Sequence, residues 1–246
     1  MSINRTKIEW TDATWNPLTG CYGPGGTKER PRHCPYCYAL RIARRFAGGK
    51  AFPHGFEPTF HPERLYDPET LKKPSRIFAC SMSDMFGSWN RDEWVASVFD
   101  MMRRYENHVF QVLTKNPENL ARWEKRFPKN LWLGVSVAAQ ADAARIGRLK
   151  EVCPAVLFVS FEPLLGPVTA DLEGIGWIIV GAQTRPERPP EREWVGSIIA
   201  AARKEGVPVF LKDNLRWPER IREFPGSKIG NGEKCSAAFK AAGQIK

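Results

Sequence analysis

Near its start the chain reads Cys34-Pro35-Tyr36-Cys37-Tyr38, and Cys21 precedes this stretch by twelve intervening residues. Three cysteines close in sequence match neither a disulfide, which uses two, nor a structural zinc site, which normally takes four ligands. Three thiolates on a cubic iron–sulfur cluster would leave one iron without a protein ligand, and an open iron can bind a reactive small molecule. The interpretation of the whole chain depends on whether that open iron exists.

Zinc is the alternative that the same residues allow. Cys34-x-x-Cys37 is a zinc-knuckle spacing, and Cys21 with His33 would complete four ligands. His33 is adjacent to Cys34, however, and neighbouring residues seldom both reach one tetrahedral metal. Spacing alone therefore leaves zinc and iron–sulfur as equal alternatives.

Composition sets broad limits. The chain has 246 residues, of which 42% are hydrophobic, enough for a substantial core. No apolar run approaches the ~20 residues of a membrane span, and the N-terminus lacks a secretory h-region. We therefore expect a cytoplasmic protein with reduced thiols and no membrane partner. The net charge of +10 favours nucleic acid as a partner, although simple solubility also accounts for it.

Short apolar runs alternate with helical patterns over most of the chain. This rhythm predicts a parallel α/β architecture, best described as a partial (β/α) barrel of six to seven units. A doubly wound sheet is the alternative. We assign residues 1–225 to this domain and residues 226–246 to a basic C-terminal tail. The predicted strands are 14–18, 77–80, 109–113, 131–135, 155–161, 177–180 and 207–211. The predicted helices are 38–46, 91–105, 117–126, 138–151 and 192–204.

Polar residues follow the predicted strands one after another. Each alone is typical of a loop or a helix N-cap. Together they indicate the rim of one polar pocket, because the carboxyl ends of barrel strands meet at one face. Glu162 and Lys212 need partners so near buried strands, and one alternative is that they pair with each other. The strand-end residues are Cys21, Ser81, Ser83, Asp84, Thr114, Lys115, Ser136, Ser160, Glu162, Gln183 and Lys212.

The cysteine stretch, lying after a first strand and before a first helix, resembles the cluster loop of radical S-adenosylmethionine (SAM) enzymes. That superfamily usually has a C-x3-C-x-aromatic-C loop in a partial (β/α)6 barrel, and Tyr36 matches the aromatic position. The rest of the chain resembles a phage- and bacterium-encoded, radical-SAM-like family. The stretches that carry this resemblance are 8–17 (IEWTDATWNP), 81–86 (SMSDMF), 111–115 (QVLTK), 132–136 (WLGVS) and 161–167 (FEPLLGP).

Two features depart from the superfamily pattern. Twelve residues separate Cys21 from Cys34, against three in the common loop. A longer loop costs only about 0.6 kcal/mol of closure entropy per doubling, so the cluster stays compatible with it. The superfamily's glycine-rich motif near the fifth strand is also not evident.

The resemblance implies a mechanism and a role for each site residue. Cys21, Cys34 and Cys37 would hold a 4Fe–4S cluster whose open iron chelates SAM, and one electron would convert SAM to methionine and a 5′-deoxyadenosyl radical. A reductant such as flavodoxin or ferredoxin would supply that electron. The implied cofactor-binding residues are Tyr36, Ser81, Ser83, Asp84, Thr114, Ser136 and Gln183. The candidates for catalytic contact with the substrate are Lys115, Glu162 and Lys212.

For the substrate, we expect nucleic acid or a nucleotide, in repair or modification. The excess of basic residues, including Arg44 and Arg45, suits phosphates, and Trp89, Trp94 and Trp123 are predicted to be exposed for base stacking. The mechanistic analogy is to the spore photoproduct lyase group. The alternatives are a zinc-containing nucleic-acid-binding protein without catalysis and a radical-SAM enzyme that acts on a peptide or small metabolite.

Overall fold

In a computed structural model, which describes residues 3–226, the apolar runs form the strands of one eight-stranded sheet. The strands of the chain are β1 (Ile3–Arg5), β2 (Ala13–Trp15), β3 (Leu18–Thr19), β4 (Thr59–Phe60), β5 (Arg76–Ala79), β6 (Val109–Thr114), β7 (Leu131–Ser136), β8 (Val156–Phe161), β9 (Trp177–Val180), β10 (Gln183–Thr184), β11 (Glu187–Arg188) and β12 (Val209–Leu211). The α-helices are α1 (Tyr38–Arg45), α2 (Asp92–Arg104), α3 (Ala144–Leu149) and α4 (Arg192–Lys204).

The strand order is β1-β2-β5-β6-β7-β8-β9-β12. From β2 to β12 the seven strands are parallel and follow chain order, and β1 is added antiparallel at the β2 edge. A doubly wound sheet would reverse its order at a switch point, which these strands do not do. The sheet curls into a half-barrel whose end strands β1 and β12 do not pair. The predicted partial (β/α) barrel is therefore confirmed.

Residue alternation divides the buried side chains between two faces of the sheet, as a strand period of two requires. On β8, Leu157 and Val159 pack into the larger core with the helices, whereas Val156 and Phe158 join an aromatic cluster inside the half-barrel. Ser160 continues the inner face of β8 above that cluster. The concave interior is thus filled by aromatic rings below and left polar at the carboxyl ends of the strands.

The first predicted strand, 14–18, is interrupted. Pro17 has no N–H to donate to a ladder, and the chain leaves the main sheet after Trp15 to form β3 with a different partner, β4. The short strand β1, before the first predicted strand, was not predicted.

The predicted helix 117–126 is instead two 3₁₀ helices, Pro117–Asn119 and Ala121–Arg126. Leu120 and Trp123 are both buried, and a period of three residues per turn puts side chains at i and i+3 on the same face. The predicted helix 138–151 likewise begins with a 3₁₀ turn, Gln140–Asp142, before α3.

Among residues 3–226, none of the helices combines the length and the apolar composition needed to cross a bilayer. Apart from residue 226, the predicted tail 226–246 lies outside the described residues.

Candidate functional site

A cavity of about 300 Å³ lies at the carboxyl ends of the parallel strands. All of the site residues predicted from the sequence line it, although they come from seven separate connections of the barrel. They are Cys21, Cys34, Tyr36, Cys37, Ser81, Ser83, Asp84, Thr114, Lys115, Ser136, Glu162, Gln183 and Lys212. The structure therefore brings the predicted residues together, while their individual roles stay predictions.

The backbone before Cys21 is shaped by a glycine. Gly20 has a φ of 83°, and a Cβ there would lie 2.2 Å from the carbonyl oxygen of Glu57. This close approach lets the Cys21 N–H donate to the carbonyl of Phe56 at 3.2 Å. The Cys21 Sγ in turn accepts the N–H of Gly23 at 3.2 Å. Cys21 is thus held at the edge of the cavity by backbone contacts on both sides.

Cys37 acts as the N-cap of helix α1. Its Sγ accepts the Leu40 N–H at 3.3 Å, and its own N–H donates to the carbonyl of Cys34 at 3.0 Å. The thiol therefore sits at the positive end of the first helix, where negative charge is stabilised. Cys34 and Cys37 share one turn and line the same cavity.

Burial raises the pKa of the Cys21 thiol, and the nearby Asp84 carboxylate raises it further. Burial also raises the pKa of the Cys37 thiol. Without a cation, both thiols keep their protons at neutral pH. A metal centre would have to displace those protons to bind the sulfurs.

In the part of the chain that the structure describes, neither a closed zinc site nor a three-cysteine metal site is already assembled. Within residues 3–226, no three His, Cys, Asp or Glu side chains form a ready-made metal-binding group, although His33 lines the same cavity. What the structure offers is three thiols around one cavity, two of which accept backbone N–H donors at sulfur. Soft thiolates with such donors are typical ligands of iron–sulfur clusters. The three thiols have the ligand chemistry of an iron–sulfur cluster, and holding one would require the cysteine loop to bring their sulfurs together.

Asn16, which the sequence analysis overlooked, organises the connection after β5. Its Oδ1 accepts the Ser81 hydroxyl at 3.1 Å and the Met82 N–H at 2.9 Å. The Ser83 hydroxyl donates to the carbonyl of Gly20 at 2.7 Å. Both serine hydroxyls thus donate their hydrogens to protein oxygens, so towards a ligand they can act only as hydrogen-bond acceptors.

Asp84 is a buried hub between β5 and β6. Its carboxylate accepts hydrogen bonds from the Thr114 hydroxyl at 2.7 Å, the Lys115 N–H at 2.8 Å, the Asn116 side-chain amide at 2.8 Å and the Phe86 N–H at 3.1 Å. Both carboxylate oxygens are therefore occupied by protein donors. These hydrogen bonds hold the carboxyl ends of β5 and β6 in a fixed position relative to each other at the cavity wall.

Glu162 and Lys212 form an ion pair across the cavity, with side chains only 23% and 12% exposed. The alternative interpretation of these two residues is thus confirmed, and their catalytic role stays a prediction. Gly181 makes room for the pair, because a Cβ there would lie 2.9 Å from the Lys212 Cδ and 3.2 Å from the Glu162 Cδ.

Replacing Lys212 by methionine is expected to lower the free energy of unfolding by about 2 kcal/mol, because the Glu162 carboxylate loses its counter-charge in a half-buried place. The double variant Glu162→Gln/Lys212→Met is expected to recover most of that loss, since no unpaired charge remains. Urea unfolding at neutral pH measures both effects. If the double variant loses at least as much stability as Lys212→Met alone, the two side chains are not directly paired.

The remaining walls combine aromatic and polar groups. Trp10 and Phe78 line the cavity with ring centroids 4.7 Å apart, and neither was predicted as a site residue: Trp10 lies before the first predicted strand, and Phe78 lies within the predicted strand 77–80. On another wall the Lys115 Nζ lies 6.0 Å from the centre of the Tyr36 ring, at the outer limit of a cation–π contact. Gln183 donates to the carbonyl of Pro186 at 2.9 Å, within the β10–β11 hairpin.

The prediction of exposed tryptophans is wrong. Trp123 is buried in the core at 2% exposure, and Trp89 and Trp94 are half-buried. Trp94 stacks on Phe60 with ring centroids 5.7 Å apart, so an internal partner already occupies its face. Any base-stacking surface has to be made by other side chains.

Three comparisons with known proteins bear on this site. A sequence-family profile described as "Protein of unknown function (DUF5131)" matches residues 5–239. No curated protein sequence matches the chain.

Solved structures of spore photoproduct lyase have a similar fold. A cysteine-to-serine mutant gives a TM-score of 0.50 at 14% identity over 74% of this chain and 58% of the other. A mutant with dinucleoside spore photoproduct gives 0.52 at 12% identity, and a double mutant with bound AdoMet and dinucleoside spore photoproduct gives 0.50 at 13%, each over 82% of this chain and 64% of the other. The chain thus spans less than two thirds of each solved chain. At this identity the likeness concerns the fold, a partial parallel (β/α) barrel.

Proposed function

The chain belongs to the family described as protein of unknown function (DUF5131), and from that starting point we propose that it is a radical-SAM enzyme acting on nucleic acid or a nucleotide. The observation that carries this proposal is the position of Cys21, Cys34 and Cys37 around one cavity at the carboxyl ends of a half-barrel. The likeness in fold to spore photoproduct lyase, a radical-SAM enzyme, supports the same assignment.

In this proposal the three cysteine thiolates hold a 4Fe–4S cluster, with SAM bound beside it. When bound, the cluster and SAM supply a 5′-deoxyadenosyl radical that abstracts hydrogen from the substrate. Tyr36 and the lone pairs of Ser81 and Ser83 orient the cofactor. The buried Ser136, 5% exposed, contributes a further polar contact.

The protein's own contribution is positioning and exclusion of water. Trp10 and Phe78, whose rings are tilted by 51° to each other, give the cavity an apolar aromatic wall that a nucleobase could contact, and Gln183 with the Glu162–Lys212 pair offers hydrogen-bonding groups at its edge. The net charge of +10 favours phosphate-bearing partners. A reductant such as flavodoxin or ferredoxin, in the reducing cytoplasm, completes the proposal.

Metal analysis and product detection test the proposal together. Protein purified and reconstituted without oxygen is expected to contain about four irons and four sulfides per chain, the content of one cubic cluster. With SAM and dithionite it is expected to release 5′-deoxyadenosine, detectable by chromatography and mass spectrometry. About one zinc with no iron would instead indicate the closed structural site of the zinc alternative. If a protein with its full iron and sulfide content makes no 5′-deoxyadenosine, the enzyme assignment is wrong.

Nucleic-acid binding separates the substrate classes. A nucleic-acid substrate predicts affinity that falls steeply with salt, because phosphate contacts release counterions. Binding that is absent at low salt would favour a peptide or small metabolite.

A further inference from the structure

Helix α1 presents an apolar stripe to solvent directly after Cys37. Within residues 3–226, the exposed large hydrophobic side chains are Tyr38, Ile42, Phe46 and Tyr66, with 42%, 39%, 52% and 54% exposure. The first three are spaced by four residues, so they lie on one face of the helix and its C-cap. Ala39 and Ala43 take the buried face. A contiguous exposed stripe of this kind indicates an interaction surface.

The same helix is strongly basic. Residues 27–50 contain seven Lys or Arg and a single acidic residue, Glu29. Arg41, Arg44 and Arg45 are exposed, and none of them forms an ion pair with a carboxylate of residues 3–226. The Arg45 guanidinium carbon lies 5.5 Å from the centre of the Phe46 ring. The Arg41 guanidinium donates one hydrogen bond to the carbonyl of Arg185 at 3.0 Å, but a carbonyl does not neutralise its charge. The positive charges of this helix are therefore left available for an anionic partner.

The stripe is continuous with the cavity, because Tyr38 belongs to both. From Tyr38 to Phe46 the helix rises by about 12 Å, long enough to contact a few nucleotides of a single strand. A polymer lying along this face would therefore lead one of its units into the cavity.

We propose that helix α1, with Tyr38, Arg41, Arg45 and Phe46, binds single-stranded nucleic acid and guides it to the cavity. The proposal rests on the proposed function and names the surface that holds its substrate. Arginines contact the phosphates and aromatic rings stack on the bases, as in sequence-tolerant single-strand sites. A duplex fits this face less well, because its bases are stacked inside and do not offer their faces to Tyr38 or Phe46.

Fluorescence anisotropy of a labelled single strand of about 12 nucleotides tests the surface on the reconstituted full-length protein. The variant Arg41→Gln/Arg45→Gln is expected to bind at least about tenfold more weakly, with the log–log salt slope reduced by about 1.4, since each lost phosphate contact removes about 0.7. The variant Phe46→Ala is expected to lose about tenfold in affinity with an unchanged slope, because stacking carries no charge.

The matched control is Arg103→Gln/Arg148→Gln, which removes the same charge from exposed arginines that pair with Asp100 and Glu151. It is expected to change affinity by less than about twofold. Equal weakening by both arginine pairs, or equal affinity of the wild type for duplex and single strand, would overturn the proposal.

Two further outcomes test the binding surface separately from the enzyme assignment. Binding as expected without 5′-deoxyadenosine formation would support the surface and reject the catalysis. The alternative is that this face binds the electron donor. In that case Arg41→Gln/Arg45→Gln would keep its affinity for the strand, and its cluster would be reduced slowly by an acidic electron-transfer protein but at the normal rate by dithionite. This result would reject the nucleic-acid proposal.

Discussion

The variant Cys37→Ser, reconstituted without oxygen, is expected to lose the cubic cluster and to form 5′-deoxyadenosine at least about 100-fold more slowly than the wild type. Removing a ligand should cost no less than the upper end of the roughly 10–100-fold losses seen when only a group that hydrogen-bonds to a ligand is removed. Serine is a hard and weakly acidic ligand, and it does not replace a thiolate on iron. Iron and sulfide content, visible absorption and product release measure the loss.

Serine is the informative substitution because Cys37 also caps helix α1. A serine hydroxyl can accept the Leu40 N–H as the thiol does at 3.3 Å, so the helix keeps its N-cap. Alanine would remove ligand and cap together, at a cost of about 1 kcal/mol for the cap. A folded Cys37→Ser protein without a cluster therefore assigns the loss to the metal site.

Cys80→Ala provides the matched control. Cys80 is buried at 3% exposure next to the same region but does not line the cavity. Its variant is expected to keep iron and product formation. If Cys37→Ser holds as much iron and releases as much product as Cys80→Ala does, Cys37 is not a cluster ligand and the proposed function loses its basis.

Much of the site followed from the sequence because parallel strands share one direction. Once the apolar runs were assigned to parallel strands, the residues after them had to meet at one edge, whatever the exact curvature of the sheet. Thr114, Ser136 and Glu162 are far apart in sequence and still line one cavity. The ion pair between Glu162 and Lys212 followed similarly, from the cost of leaving a charge alone beside a buried strand.

Features that depend on tertiary contacts were harder to predict from the sequence. The residues that flank Trp123 are charged, as in an exposed helix. Trp123 is nevertheless buried, with its ring centroid 5.8 Å from that of Phe99. Asn16 lies between Trp15 and Pro17 in the predicted strand 14–18, and nothing local indicates that its amide oxygen anchors Ser81. Which face of α1 stays uncovered also depends on the packing of the whole chain. Ile42 and Ala43 are both apolar neighbours, so the sequence pattern does not show that Ile42 is exposed and Ala43 is buried.

The variant Asp84→Ala is expected to lower the free energy of unfolding by about 4 kcal/mol, a loss reserved for broken buried networks. Four donors, from Phe86, Thr114, Lys115 and Asn116, lose their acceptor at once. Each unsatisfied buried donor costs about 1–3 kcal/mol, and water entering from the cavity would offset part of that sum. Denaturant unfolding measures the loss as a shift in midpoint with an unchanged slope.

Ser83→Ala is the matched control for Asp84→Ala, because it removes one hydrogen bond, to the carbonyl of Gly20, from the same connection. Its expected cost is about 1 kcal/mol. Asp84→Asn separates charge from shape: it keeps one acceptor oxygen but turns an NH₂ group towards a donor, so its stability is expected to fall between the two. If Asp84→Ala costs no more than Ser83→Ala, the carboxylate does not hold the strand ends, and its oxygens are then free for the cofactor contact predicted from the sequence.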